Sequence, residues 1–469
     1  MNDTTPRLLA QPELLLLPQQ VLLADGPAPE TAVVVRDGRF AFVGPAAEAC
    51  RRWPHLALQR LPQHLLMPGL VDSHTHLTQS FGKALAFGEP SEIFRRIWVP
   101  MESTLGADAA YLASKLAALE ALRGGFTTVV DAGTRSEAGL DAVVQAVHEA
   151  GVRCVLGLVC NDGPQGSDGA LQESLLAAAR QHLARYEHDR LVHPSLAVSI
   201  PEVASDRMLA QVAALTLEAG RVFQTHVNEH LVAVERSLVA RGLRPIELLH
   251  QVGALNPSAL LAHATLLTPY EINLLRDSGA AVAYNPVASA WKGNAVLNAM
   301  QLDAFGIRFG LGTDGTRADA FRLLDAAESA QRIAFGLASG DSSCGGGWMW
   351  LDHGTHGAAA AAGLGGLTGA IEAGRAADFL LVDLDVPELL PSWDLPWELV
   401  RLADRSQIEA VFVGGALRLW RGWPVDWDAR ALMREVARVA REDVARAPIQ
   451  RVHPASADHR RRWTAQRRA

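Results

Sequence analysis

Cysteine is scarce in this chain and follows no pattern. The 469 residues hold four, Cys50, Cys154, Cys160 and Cys344, with no Cys-x-x-Cys and no even spacing. That excludes a disulfide framework and a cysteine-based metal cluster, and it points to a reducing compartment. Cys154 and Cys160 lie in one apolar run and read as buried structural residues. No apolar stretch is long enough to cross a bilayer, and the run at residues 14–17 is broken by Pro18. Residues 1–12 lack the basic start, apolar core and small-residue site of a secretory leader. Positive charge is not in excess either: 43 Lys and Arg against 51 Asp and Glu leave a net charge of −8, which draws in neither nucleic acid nor an anionic membrane. The expectation is a cytoplasmic protein with no nucleic-acid and no membrane partner.

What is present is a globular composition, 49% hydrophobic and 20% charged. The chain is too long for one ordinary core, so a large domain with a smaller companion is expected. Residues 13–65 alternate short β-rich runs with turn residues, and Asp37-Gly38 marks a hairpin. The same texture returns at 379–382, 409–413 and 418–420. Both ends of the chain therefore predict one small β-sandwich flanking a long middle.

In the middle, apolar β-rich runs alternate with helical segments, the signature of βα units and a parallel sheet. The runs fall at 70–74, 126–131, 152–159, 196–200, 221–227, 259–263, 280–285 and 307–314. Between them lie helices such as 108–123, with Leu112, Leu116, Leu119 and Leu122 on one face and Gly124-Gly125 as its stop. Eight such strands predict an α/β fold, a (β/α)8 TIM-like barrel, whose chemistry sits at the C-terminal strand ends. The expected organisation is 1–67 as the N-terminal part of the sandwich, 68–365 as the barrel, 366–425 as the C-terminal part of the sandwich, and 426–469 as a helix and basic tail. The tail from Arg451 is expected to be solvated.

One residue type recurs at the predicted strand ends. His74 and His76 fall at the first, two residues apart and so on one side of a strand. His226 falls at the fifth, His263 at the sixth and Asp314 at the eighth. A His-x-His arises readily by chance among 16 histidines, and its weight comes from the partners that later strands supply. In a closed barrel these ends converge on one pocket. Imidazoles with a carboxylate suit Zn²⁺ or another first-row ion, and an open coordination position lets metal-bound water ionise near neutral pH. Glu229, three residues past His226, is placed to protonate a substrate nitrogen; a helix N-terminal Glu facing the dipole is the alternative.

These segments resemble a known family. Pro68-Gly69-Leu70-Val71-Asp72-Ser73-His74-Thr75-His76, Thr225-His226-Val227-Asn228-Glu229, Ala262-His263 and Gly312-Thr313-Asp314-Gly315 are similar to the amidohydrolase superfamily, in its cytosine deaminase and triazine hydrolase branch. The segment from Gly369 to Asp378 resembles the point where that branch re-enters its β-sandwich. The resemblance implies His74, His76, His226 and Asp314 as metal ligands, His263 as a hydrogen-bond partner of the metal-bound water, Asp314 as its proton acceptor and Glu229 as the proton shuttle. The fourth predicted strand, 196–200, holds no Lys for a carbamylated bridge, so one divalent metal is implied, zinc first and iron second.

The chain departs from the branch after the seventh strand, where Tyr284-Asn285-Pro286, then Trp291-Lys292, replace a His-Cys-Pro-type segment. Gln79, Tyr284, Asn285 and Trp291 are the expected substrate contacts, with Trp98 and Glu102 as further candidates; Tyr284 serves equally as a packed barrel residue. The expected function is hydrolysis of a C–N bond, most simply deamination of a small nitrogen-rich heterocycle by metal-bound hydroxide. Hydrolysis of an amide, a cyclic imide or a non-amine substituent is the alternative, and a silent assembly module on the same barrel is the third reading. The expected partner is a small-molecule substrate, and the expected assembly is a homo-oligomer, a dimer by default.

Overall fold

The chain changes sheets at Pro68-Gly69. In the computed structural model, which describes residues 5–89, 92–163, 169–453 and 456–468, one strand ends at Pro68 and the next begins at Leu70. A side chain at Gly69 would put a Cβ 2.2 Å from the Thr127 side chain, so the crossing needs glycine.

Before the crossing lie β1 (Leu14–Leu23), β2 (Gly26–Pro29), β3 (Thr31–Arg36), β4 (Arg39–Pro45) and β5 (Leu58–Pro68). After it come β6 (Leu70–Thr75), β7 (Phe126–Asp131), β8 (Arg153–Val159), β9 (Val192–Ala197), β10 (Phe223–Val227), β11 (Ala259–His263), β12 (Ala281–Tyr284) and β13 (Phe309–Leu311). These eight run parallel in sequence order, with helices between them. The last returns to the first through side chains as well as backbone. Asp72 accepts from the Thr313 amide at 2.9 Å and its hydroxyl at 2.6 Å, and the Asp314 amide donates to the His74 carbonyl at 2.8 Å. Asp72→Ala is therefore expected to cost about 3 kcal/mol, because it strands a buried amide and hydroxyl without acceptors. A denaturation midpoint measured on the variant checks this.

Alternate strand residues Val71, Val130, Val155, Leu260, Ala281 and Ala283 point into the barrel and meet Ala358 and Ala359. The latter belong to helix His356–Ala361, whose small side chains let it approach closely. Outside, helix Ala107–Arg123 buries Leu112, Leu119 and Leu122 against the strands.

The other sheet is completed by β14 (Phe379–Asp383), β15 (Ile408–Val413), β16 (Ala416–Trp420) and β17 (Trp423–Pro424). Its order is β17-β16-β15-β14-β5-β1-β3-β4, with β2 beside β1, so β5 and β14 join the two chain ends. The sandwich expected from the sequence is formed by one continuous sheet that curls onto itself. Phe40 of β4 lies 5.9 Å from Phe379 of β14, which stacks at 4.2 Å on Phe412 of β15. Arg153 of β8 grips Asp378, just before β14, with two bonds of 2.8 and 3.0 Å and fixes the barrel to this sheet. No helix among the described residues is long and apolar enough to cross a membrane.

Two sequence expectations change. The fourth barrel strand starts at Val192 rather than 196, because Pro194 is accommodated opposite Leu156 instead of breaking the strand. The basic segment from Arg451 is not simply solvated: Glu89 accepts from Arg451 and from the amides of Val452 and His453, at 3.2, 3.0 and 3.2 Å.

Candidate active site

Four donor atoms from three strand ends meet at the barrel mouth. His74 in β6, His76 just after it, His226 in β10 and Asp314 after β13 each offer one atom, and all lie within 4.8 Å of one another. Asp314 Oδ1 is 3.3 Å from His74 Nε2 and 3.4 Å from His76 Nε2. His76 Nε2 and His226 Nε2 face each other at 3.3 Å. His226 Nδ1 donates to the Ser199 carbonyl at 2.7 Å, which turns the lone pair of Nε2 toward the cluster. His74 Nε2 is buried without a hydrogen-bond partner among the described residues. Lone pairs gathered in this way suit a cation of borderline hardness, so the donor set fits a divalent first-row ion.

The backbone around the cluster is held in an unusual conformation. Asn228, His263, Ala264 and Asp314 take φ of 48°, 75°, 49° and 55°, a left-handed region that non-glycine residues avoid. The turn from β13 runs close enough that a Cβ at Gly312 would meet Asn285 Oδ1 at 2.3 Å. These strand ends are bent so that His263 and Asp314 leave the barrel wall and aim at one point.

Burial, with the neighbouring imidazoles and the other charges, pushes His74 down to about 4 and moves His226 and His263 down as well. At neutral pH all three are uncharged, the form that donates a lone pair. For Asp314, burial opposes ionisation. The Lys292 ammonium and the imidazoles of His74 and His76 outweigh it and hold the carboxyl well below its ordinary range.

His263 sits one step back. Asn285 Nδ2 donates to His263 Nδ1 at 3.2 Å, leaving Nε2 directed at the site, 3.9 Å from Glu229 Oε2. Glu229, His263 and Asp314 form a second cluster whose donor atoms also lie within 4.8 Å. Lys292 Nζ bridges its carboxylates, 2.8 Å from Glu229 Oε1 and 2.5 Å from Asp314 Oδ2. Burial disfavours the ionised form of Glu229, but the adjacent ammonium dominates and holds the carboxyl below its ordinary value. Glu229 is thus a cavity carboxylate rather than a helix-capping one.

A cavity opens from these residues to solvent, lined by Gln79, Ile93, Phe94, Trp98, His230 and Asn294 among others. Gln79 and Trp98 lie in its wall. Glu102 turns away, accepting from Thr78 and Arg135 at 2.6 Å each. Tyr284 is buried in the wall, its hydroxyl accepting from Gln331 at 2.9 Å. Asn285 acts through His263, and Trp291 packs edge-on against Phe87 at 5.4 Å. Sequence reasoning missed Asn294 and the segment around Ile93 and Phe94, which carry no chemical motif.

That segment is held by the chain's C-terminal part. Glu89 also accepts from Arg96 at 2.8 Å, and Ile449 packs against the cluster of Ile93, Ile97 and Trp98. Burial raises the Glu89 pKa, but bonds from Arg96, the Val452 and His453 amides and Arg451 win and bring it to about 2. A depressed carboxyl stabilises the fold above its ordinary value and loses that contribution as pH falls toward the lowered one. Pepsin cleavage within 449–453 is therefore expected to rise as pH is stepped from 4.5 down to about 2.

Three imidazoles and a carboxylate at the C-terminal mouth of a (β/α)8 barrel define the class: a barrel protein with a divalent-ion donor set where barrel chemistry takes place. The pattern of the Amidohydrolase family matches residues 65–418, and the chain belongs to that family. A 5-methylthioadenosine/S-adenosylhomocysteine deaminase of Moorella thermoacetica is 28% identical over 411 residues, covering 87% of this chain and 94% of its own length. Another from Nitratidesulfovibrio vulgaris is 29% identical over 411 residues, covering 87% and 92%. Among solved structures, an adenosine deaminase from Xanthomonas campestris with bound zinc matches with a TM-score of 0.83 at 26% identity, over 92% of this chain and 98% of that one. Atrazine chlorohydrolase TrzN from Arthrobacter aurescens, complexed with zinc, shares the fold, with a TM-score of 0.80 at 19% identity over 91% and 100%.

Proposed function

We propose that this protein is a metal-dependent aminohydrolase that removes ammonia from a small nitrogen-rich heterocycle. The observation that carries the reading is the convergence of the imidazoles of His74, His76 and His226 with Asp314, beside the Glu229 carboxylate and an open cavity. His74, His76, His226 and Asp314 would hold one divalent ion, zinc first and iron second. When bound, that ion lowers the pKa of water and so supplies a nucleophile at neutral pH.

The chain's own residues do the rest. His263, oriented by Asn285, donates from Nε2 to the attacking oxygen. Glu229 carries one proton of the water to a ring nitrogen, which makes the amidine-like carbon electrophilic. Asp314 relays the second proton to the exocyclic amine. A C–O bond forms, the C–N bond breaks, and the products are ammonia and the ring lactam. The deaminase relatives and the zinc-bound neighbour support this reading.

Its test is ammonia release by zinc-loaded protein from a panel of aminated heterocycles. The expected result is one ammonia per product, a product mass fitting amine-for-oxygen exchange, and close to one zinc per chain by elemental analysis. Ring opening without ammonia, or turnover with no metal bound, overturns it. We take the protein to act as a homodimer in the cytoplasm with no nucleic-acid partner. The cysteine content and acidic net charge support the compartment and the absence of nucleic acid, and light scattering at twice the chain mass checks the dimer.

A further inference from the structure

Lys292 has no part in the roles above, yet it stands between the two carboxylates that have them. It ends helix Pro286–Lys292, and Gly293, at φ 70°, turns the chain so that Lys292 and Asn294 both line the cavity. A helix C-terminus favours a cation, which helps seat the ammonium there. Its side chain is 13% exposed, and Asn294 Nδ2 adds a weaker contact of 3.4 Å to Glu229 Oε1.

Two consequences follow from that placement. Without the ammonium, the Glu229 and Asp314 carboxylates would face each other across a few ångströms in a buried site, and their repulsion would drive them apart. Lys292 fixes their spacing. An ammonium also carries three N–H donors, and among the described residues two are taken, by Asp314 Oδ2 and Glu229 Oε1. The third is left for the cavity that the residue lines. A buried cation with an unfilled donor binds an oxygen acceptor well and rejects a ring that offers none, because the N–H would then be desolvated and unpaired.

We propose that Lys292 is the specificity-determining residue of this site: it holds Glu229 and Asp314 in register and gives its remaining N–H to an oxo or ionised oxygen on the substrate ring. The inference rests on the aminohydrolase reading and narrows it to oxo-substituted amino-heterocycles.

The test compares matched pairs on zinc-loaded wild type, K292Q and K292R: cytosine with 4-aminopyrimidine, isoguanine with adenine, and guanine with 2-aminopurine. Wild type is expected to prefer the oxo member. K292Q should keep its zinc by elemental analysis and lose kcat/KM on both members, because the carboxylates lose their spacer, with a further loss of about 10-fold or more on the oxo member. K292R should recover part of the loss. Equal losses on both members, or loss of zinc from K292Q, overturn the proposal. A second measurement separates its failure from that of the parent reading: calorimetric binding of xanthine and uracil, which carry no amine to release. If neither the pairs nor the wider panel of aminated heterocycles yields ammonia, deamination fails as the function. Tighter binding of xanthine or uracil than of purine or pyrimidine, lost in K292Q, would still uphold Lys292, and its absence would overturn it.

Discussion

His226→Ala is expected to lose metal and activity together. The imidazole cannot be replaced by a neighbour, because His226 alone brings a donor from β10, on the far side of the mouth from β6. Its orientation is set from behind by the 2.7 Å bond to the Ser199 carbonyl, so Nε2 is held toward the cluster before any ion arrives. Removing it leaves three donors and a gap that water can enter. Metal affinity should fall by more than about 100-fold, since even loss of a supporting partner costs 10–100-fold. Turnover should drop by about 1,000-fold or more, as for members of a unit that works only when complete. Elemental analysis after dialysis, with ammonia assays on the same samples, reads both quantities. A variant that kept its metal would remove His226 from the donor set.

Glu229→Gln is expected to separate the two properties. The amide has the shape of the carboxylate and can still accept from Lys292, so the cavity wall should persist. What disappears is a group able to take a proton from water and pass it on. Positioned proton transfer contributes about 10²–10⁴-fold to a rate, so kcat should fall by about 1,000-fold while KM changes little. Metal content should match the wild type, because Asp314 Oδ1 and the imidazoles face the cluster while Glu229 faces Lys292 and His263. Equal metal loss in E229Q and H226A would make Glu229 a ligand and the proton assignment wrong.

The donor set was legible because strand geometry is local. His74 and His76 share a side by the two-residue period, and strand ends of a closed barrel converge wherever the intervening helices lie. The substrate contacts were not. Adjacent residues of a helix point about 100° apart, so whether Trp291 or Lys292 enters the cavity is decided by how helix Pro286–Lys292 packs. Phe87 takes Trp291 into an apolar wall, and the carboxylates take Lys292. Tyr284 is likewise claimed by Gln331, from a helix nearly fifty residues further on. The C-terminal strap was hidden for a similar reason: the acidic partner of Arg451 is Glu89, which no spacing rule links to it.

Taken alone, the order of residues determined the count of barrel strands, the pairing of both chain ends into one β unit, and the imidazoles and carboxylate that face the mouth. Each follows from short-range periodicity and from where a strand must stop. Only the tertiary structure decided that the β unit is a single curled sheet, that Asp72 locks the last barrel strand to the first, and that Lys292 stands between Glu229 and Asp314. Those outcomes depend on which distant side chains compete for the same few ångströms of space, and that competition is settled by packing.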